Sequence, residues 1–88
     1  MKLVNIGYGN MINSSRIVSV VSPEAAPIKR LVQDTRNTGR LVDATGGKKT
    51  RSVIVSDSGH IVLSALTAET IQGRINGVAD SEEEKAEN

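Results

Sequence analysis

Residues 16–22 constrain the fold of this chain more than any other segment. They give the strongest strand pattern in the sequence, and apolar side chains fall on both faces of that strand: Ile17, Val18, Val20 and Val21. A strand of this kind needs cover on both faces of its sheet. One layer of helices covers only one face, and another subunit could cover the other.

The core must be built from Val, Ile, Leu and Ala. Tyr8 is the only aromatic residue among the 88, and there is no Cys, so neither large aromatic side chains nor disulfides are available to the core. A single core of this size supplies only about 3 to 5 kcal/mol. We therefore expect a homo-oligomer, in which contacts between subunits bury additional apolar surface.

Two helices are predicted between and after the strands. Pro27 suits the first turn of the first helix, and Gly39 suits its end. The apolar stripe of that helix recurs at i, i+3, i+4 and i+7: Ile28, Leu31, Val32 and Thr35. Thr67 is the predicted N-cap of the second helix, with Leu66 and Ile71 placed as a hydrophobic staple. The buried stripe of the second helix is predicted to be Ala68, Ile71, Ile75 and Val78.

The whole pattern predicts a small α+β domain with a largely antiparallel sheet, in the order β-β-α-β-β-β-α. The predicted strands are residues 2–6, 16–22, 41–45, 51–56 and 60–66, and residues 11–15 lead into the second of them.

Charge divides the chain into a domain, residues 1–78, and a tail, residues 79–88. The tail has five acidic residues and one Lys, a charge of −4, so the net charge of +1 leaves about +5 on the domain. Because the tail is rich in charge and poor in apolar residues, we expect it to be disordered. It serves either as a solubilising terminus or as a mimic of nucleic acid that competes for the basic surface.

A Gly-Gly-Lys-Lys-Thr-Arg segment, the most basic in the chain, connects two predicted strands. Gly46 and Gly47 supply the positive φ angles that a hairpin tip needs. Lys48, Lys49 and Arg51 concentrate charges that repel one another unless an anion neutralises them. A nucleic-acid backbone is the anion that such a turn suits, and the competing interpretation is an ordinary solvated loop.

Arg16 adds to this charge, because it begins one predicted strand and Arg51 begins another. We expect both arginines, together with Lys48 and Lys49, to lie along one rim of the sheet and to bind phosphate. Three further cations are interpreted as a solvated face: Lys29, Arg36 and Arg40. One tyrosine is too few to stack the bases of single-stranded nucleic acid. A protein with several cations and one aromatic residue is better suited to duplex nucleic acid.

Catalysis has little support in the sequence, and we expect no enzyme. His60 is the only histidine and lies beside Asp57 and Ser58, a grouping typical of an exposed turn, since triad residues usually come from separated segments. One His without Cys gives no metal-site spacing, and nothing indicates a cofactor or a small-molecule ligand. No apolar run approaches the roughly 20 residues of a membrane span, and no signal peptide is recognisable, so we expect a cytoplasmic protein.

The Gly7-Tyr8-Gly9 segment is not a dinucleotide fingerprint. Ile12 stands where that motif needs a glycine, and a strand rather than a helix is expected to follow. We interpret the glycines as shaping a loop in which Tyr8 packs over a neighbouring edge. A subunit contact or a phosphate contact through backbone N–H groups are the alternatives.

Three uncommon sequence segments, separated from one another, occur in a characteristic order along the chain. They are Asn-Ile-Gly-Tyr-Gly-Asn-Met from position 5, Ser-Pro at position 22 followed by Ala-Pro-Ile-Lys-Arg from position 26, and Leu-Val-Asp-Ala-Thr from position 41 leading into the basic segment. Together they resemble the RemA family of bacterial extracellular-matrix regulators, and the likeness extends over about residues 2–78.

The resemblance implies a DNA-binding transcriptional regulator that activates extracellular-matrix (biofilm) genes and assembles into a ring-like homo-oligomer, with duplex DNA wrapped around basic residues on its outside. It implies DNA-binding roles for Arg16, Lys48, Lys49 and Arg51, and a role of Pro27 in integrity. Family members carry arginines in the turn where this chain has two lysines, which keeps the charge but reduces bidentate grip on phosphate. A structural or protein-interaction module without specific DNA binding is the alternative, and RNA binding is a third hypothesis.

Overall fold

The computed structural model of the protein describes residues 2–77 and contains six strands and two helices in that range. The strands are β1 (Leu3–Asn5), β2 (Met11–Asn13), β3 (Ile17–Val21), β4 (Leu41–Ala44), β5 (Ser52–Ser56) and β6 (Ile61–Ser64). The helices are α1 (Ala26–Thr38) and α2 (Ala68–Ile75), and a single 3-10 turn, Ser14–Arg16, separates β2 from β3. The tail at residues 79–88 lies outside the described residues.

The described strands form two sheets. β1 and β2 make an antiparallel pair, and the other four strands make a sheet in the order β3-β5-β6-β4. In the larger sheet β5 pairs antiparallel with both β3 and β6, whereas β4 pairs parallel with β6. The predicted α+β class with two helices is confirmed, and one strand pair is parallel.

The basic segment is not a hairpin tip, so that prediction is wrong. β6 lies between β4 and β5, and the connection from β4 to β5 therefore passes over the end of β6. A glycine-rich turn fits a two-stranded hairpin and a short crossover equally well, and only the pairing of the later strand β6 distinguishes them.

Both faces of the four-stranded sheet are covered within one chain. Val53 and Ile54, successive residues of β5, point to opposite faces, and both are fully buried. Val53 belongs to a cluster with apolar residues of α1, whereas Ile54 belongs to a cluster with Ile6, which follows β1, and Ile71 of α2. A second subunit is therefore not needed to cover either face, because α2 and the β1–β2 pair provide the second layer.

The predicted helix ends agree with the structure. α1 begins one residue before Pro27, and it ends at Gly39, whose φ of 77° is left-handed. Thr67 is the N-cap of α2, and its hydroxyl accepts a hydrogen bond from the backbone N–H three residues later. The predicted staple residues lie in one buried cluster: Leu66 and Ile71. Val78, the last residue of the predicted stripe, lies outside the described residues.

Two buried serine hydroxyls join the layers of the fold. Ser52 and Ser64 are fully buried and are partners across β5 and β6. Ser52 Oγ donates to the Leu66 carbonyl at 2.7 Å, and Ser64 Oγ donates to the Ile6 carbonyl at 2.8 Å. Ser64 Oγ also accepts from the Leu66 N–H at 3.0 Å. Because buried polar groups need partners, these bonds fix the chain after β1 and the chain before α2 onto the sheet.

Replacing Ser64 with alanine is expected to lower the free energy of unfolding by about 2 kcal/mol or more, because it leaves the Ile6 carbonyl and the Leu66 N–H buried without a partner. Ser58→Ala, on the exposed turn between β5 and β6, is the control and should change the free energy of unfolding by no more than about 0.5 kcal/mol. Urea denaturation followed by circular dichroism measures both. Equal midpoints for the two variants would contradict a structural role of the buried hydroxyl.

Candidate nucleic-acid interface

The basic loop, defined as residues 46–51, is held at both of its ends by backbone hydrogen bonds. Its two glycines have φ angles of 63° and 83°, in the left-handed region that favours glycine. The Lys48 N–H donates to the Thr45 carbonyl at 3.1 Å, and the Arg51 N–H donates to the Ser64 carbonyl at 2.8 Å. The loop therefore presents its side chains from a defined backbone.

Tyr8 lies directly against this loop. A Cβ atom on Gly46 would come within 2.9 Å of Tyr8 Cγ, so the tyrosine ring contacts the glycine backbone. Tyr8 itself has a φ of 55°, the single positive φ of a non-glycine residue in the described part of the chain, and Gly7 and Gly9 on either side are also left-handed. Tyr8 therefore packs over the basic loop. Position 46 needs a glycine for two reasons: its φ angle is left-handed, and the Tyr8 ring leaves no room for a Cβ atom.

Asp43 stabilises the approach to the loop. Its Oδ1 accepts the Thr45 hydroxyl at 2.6 Å and the Thr45 N–H at 3.0 Å. These two hydrogen bonds hold the pKa of the Asp43 carboxyl below its ordinary value of 3.8. The stabilisation that they provide is therefore complete above that ordinary value and is lost as the pH falls through the lowered pKa.

The cations of the basic loop are exposed and have no acidic partner within residues 2–77. Lys48, Lys49 and Arg51 are all exposed side chains. The single ion pair of the described residues joins Arg16 to Asp57 at 3.3 Å. Three neighbouring cations that are not ion-paired form a surface that attracts anions.

Arg16 lies at the other end of the sheet. The Asp57 N–H donates to the Arg16 carbonyl at 2.9 Å, so Arg16 is level with Asp57, at the end of β5 opposite Arg51. Asp57 follows Arg51 by six residues, which in a strand corresponds to about 20 Å. The prediction of one shared rim within a subunit is wrong, because antiparallel pairing puts the starts of neighbouring strands at opposite ends.

A cleft of about 240 Å³, here called the rim cleft, opens beside the basic loop where β3 ends, β5 begins and α2 begins. Its polar lining consists of Ser22, Glu24, Lys49, Thr50, Arg51 and Thr67. Two cations and three hydroxyls are groups that bind phosphate oxygens, and the single carboxylate opposes them. The structure thus brings Lys49 and Arg51 together with hydroxyl groups that the sequence pattern did not associate with them.

A second cleft of about 190 Å³, here called the helix cleft, lies between α1 and the sheet. Lys29 and Arg36, interpreted from the sequence as part of a solvated face, both line it. They are seven residues apart, which places them on one side of the helix. This spacing is the one feature of the sequence that indicates that the two cations lie together. Arg40, by contrast, donates to the Ser58 carbonyl at 3.2 Å on the turn after β5, away from both clefts.

The histidine turn lacks the arrangement of a catalytic triad. His60 Nδ1 and Ser58 Oγ form a hydrogen bond of 2.7 Å, but the Asp57 carboxylate pairs with Arg16 instead. All of these side chains are exposed, as predicted for a turn. Among residues 2–77 no group of three His, Cys, Asp or Glu could hold a metal ion, and neither helix is long and apolar enough to cross a membrane.

Residues 3–75 match the model of the RemA-like family, described as extracellular matrix regulatory protein A-like. This chain belongs to the RemA-like family. A relative from Dictyoglomus thermophilum, described as a candidate regulatory protein, is 63% identical over 84 residues, which cover 96% of this chain and 98% of the relative. A relative of the same description from Geobacillus thermodenitrificans is 54% identical over 84 residues, covering 96% and 97%. The resemblance found in the sequence is confirmed, and regulation is the role that these descriptions share.

The contact between Tyr8 and Gly46 predicts different costs for two alanine substitutions in this RemA-like chain. Gly47→Ala meets no atom within 4 Å and should cost only the left-handed backbone, about 1 kcal/mol. Gly46→Ala also drives its new methyl group into the Tyr8 ring, so the free energy of unfolding should fall by about 2 kcal/mol or more.

Urea midpoints at one protein concentration measure this difference between the two glycine variants. Tyrosine emission gives a second measurement, because Tyr8 is the only aromatic residue and its environment should change in Gly46→Ala alone. Equal midpoints with equal emission would contradict the contact.

Proposed function

We propose that this chain is a transcriptional regulator of extracellular-matrix genes that binds duplex DNA through basic residues repeated around a homo-oligomer. The observation that carries the proposal is the basic loop, in which Lys48, Lys49 and Arg51 are exposed, unpaired within residues 2–77 and held beside a hydroxyl-lined cleft. Such groups bind phosphates without reading bases. Membership of a family of matrix regulators supports the same function.

Duplex DNA is a better ligand for this surface than a single strand. Proteins that hold single strands stack successive bases on several aromatic rings. Tyr8 is the only aromatic residue, and its ring already contacts Gly46. Backbone contacts therefore supply the affinity, and sequence preference comes from the ease with which a duplex bends.

Arg16 has a place in this function as a separate contact. It lies about 20 Å from Arg51 along β5, a span larger than the ~12 Å width of the major groove. The two arginines are therefore too far apart to bind the same group of phosphates. We therefore assign Arg16 and the basic loop to separate phosphates of the duplex.

The open edges of the larger sheet support assembly into a closed oligomer. Within the described residues, β3 and β4 each pair on one side only, and Val18 on β3 and Val42 on β4 are 65% and 47% exposed. Joining the β3 edge of one copy to the β4 edge of the next is a head-to-tail contact, which gives a ring when the rotation closes. A ring repeats weak phosphate contacts along one duplex, which raises the overall affinity.

The same edges favour a second candidate function, a structural assembly module without specific DNA binding. In that case strand addition is the main activity, and the cations of the basic loop serve solubility or contact an acidic protein. The two candidates differ in whether a tight oligomer binds duplex DNA in a salt-dependent way.

Light scattering at micromolar concentration is expected to give a mass several times the 9.3 kDa of one chain. Val18→Lys should lower that mass, because a charge on an open edge opposes strand addition. Leu3→Lys is the matched control, since Leu3 is 53% exposed but belongs to the smaller sheet, and its mass should not change. An unchanged mass for Val18→Lys would exclude assembly through the β3 edge.

Alanine at Lys48, Lys49 and Arg51 together is expected to abolish the gel shift of duplex DNA while the oligomer mass stays the same. The reason is that each lost phosphate contact removes about 0.9 from the slope of log K against log salt, which amounts to about 2.7 per subunit for three contacts. Arg16→Ala should remove only one such contact.

The charge-preserving variant Lys48→Arg/Lys49→Arg is the control for the gel shift. It should bind at least as tightly as the original protein, because arginine grips two phosphate oxygens at once. If the triple alanine variant bound DNA as well as the unsubstituted protein, the basic loop would not be the binding site. If the unsubstituted oligomer ignored duplex DNA, the assembly module would be the better function.

A further inference from the structure

We propose that the helix cleft is a second seat for the DNA backbone, adjoining the rim cleft, and that Lys29 and Arg36 bind a phosphate there. This inference rests on the proposed function and extends it to a surface outside the basic loop. It assigns α1, as well as the loop, to the interface.

The geometry joins the two clefts into one path. Pro23 and Thr50 line both of them, so the rim cleft and the helix cleft adjoin each other. Lys29, Val32 and Arg36 recur at i, i+3 and i+7 and form the side of α1 that faces this path. A DNA backbone bound at Lys49 in the rim cleft can therefore extend to Lys29 in the helix cleft.

The chemistry of the helix cleft matches one sugar–phosphate unit. Its floor is apolar, because Leu63 and Val32 line it above Val53, which is fully buried beneath them. Two cations and the Thr50 hydroxyl surround that floor. The cations suit the phosphate, and the apolar floor suits the C–H face of a deoxyribose.

The volume argues against a separate small-molecule ligand. Pockets for such ligands usually measure about 300 to 1,000 Å³, and the helix cleft has about 190 Å³. It holds a short piece of a longer chain better than a complete nucleotide. Continuity with the rim cleft then makes a DNA strand the occupant that fits.

Both cations are available to bind an anion. Neither Lys29 nor Arg36 forms an ion pair within residues 2–77, where the single ion pair joins Arg16 to Asp57. Arg36 is close enough to Asp43 to help lower the pKa of that carboxyl, after the two hydrogen bonds from Thr45.

The test compares Lys29→Ala with Arg30→Ala in gel shifts of random duplex DNA across salt concentrations. The two residues are neighbours on α1, both are exposed, and each substitution removes one positive charge, but only Lys29 lines the helix cleft. Lys29→Ala should reduce the salt slope by about 0.9 per subunit, and Arg30→Ala should leave it unchanged. Lys29→Arg should restore the slope, which a loss of fold or of helix packing would not allow.

Three results would overturn the inference or its basis, and they are distinguishable. If Lys29→Ala and Arg30→Ala have the same salt slope while the unsubstituted protein binds DNA, the helix cleft is not a phosphate seat. If Lys29→Ala changes the oligomer mass in light scattering, the cleft is a subunit contact instead. If the unsubstituted protein shows no salt-dependent binding at all, the proposed function itself fails.

Discussion

The cross-strand pair Ser52 and Ser64 is the interaction on which the candidate interface depends. Their buried hydroxyls bond to the carbonyls of Leu66 and Ile6, and so they attach the layer on one face of the sheet to the ends of β5 and β6. In an aliphatic core, apolar contacts are non-directional and allow layers to slide, whereas a buried hydrogen bond has one position. The serines therefore set where the flanking segments lie, and not only how strongly they pack.

Both flanking segments border the basic loop. The chain fixed by Ser64 continues into the Tyr8 loop, and Tyr8 then contacts Gly46. The chain fixed by Ser52 continues into Thr67, the N-cap of α2, which lines the rim cleft. A loop of like charges tends to move apart, and each of these contacts opposes that movement. The positive φ of Tyr8, a conformation that costs of order 1 to 3 kcal/mol, fits a position that the surrounding structure over-determines.

Features set by neighbouring residues were predictable from the sequence, and features set by distant pairing were not. The helix ends at Pro27, Gly39 and Thr67 follow from local backbone chemistry, and the apolar stripe of α1 follows from its period. The connection between β4 and β5 depends on β6, which comes later in the chain and lies between them, so the local sequence predicts a hairpin that does not form. For the same reason the sequence predicts Arg16 beside Arg51, whereas the structure separates them.

The burial of polar residues also could not be predicted from the sequence. Ser52 and Ser64 look like surface positions, since serine is mostly exposed, and nothing local indicates that each finds a backbone partner across the fold. The tyrosine loop shows the same limit: its glycines predicted left-handed backbone, but the contact with Gly46 joins residues far apart in the chain. Candidate cations could be named from the sequence, whereas their grouping required the structure.

In the proposed DNA complex, the separation of the cations into two groups limits how a duplex can lie on the protein. A single rim would grip one phosphate cluster and would tolerate any duplex direction. If both groups bind phosphate as proposed, their separation of about 20 Å along β5 admits only a duplex that crosses the sheet at a suitable angle. Repetition of this constraint around an oligomer would force the duplex to bend, and the energy of bending depends on base sequence at positions that no side chain touches. Selectivity can then arise in a protein whose candidate contacts are all directed at phosphate, because the spacing of its charges selects duplexes that are easily deformed.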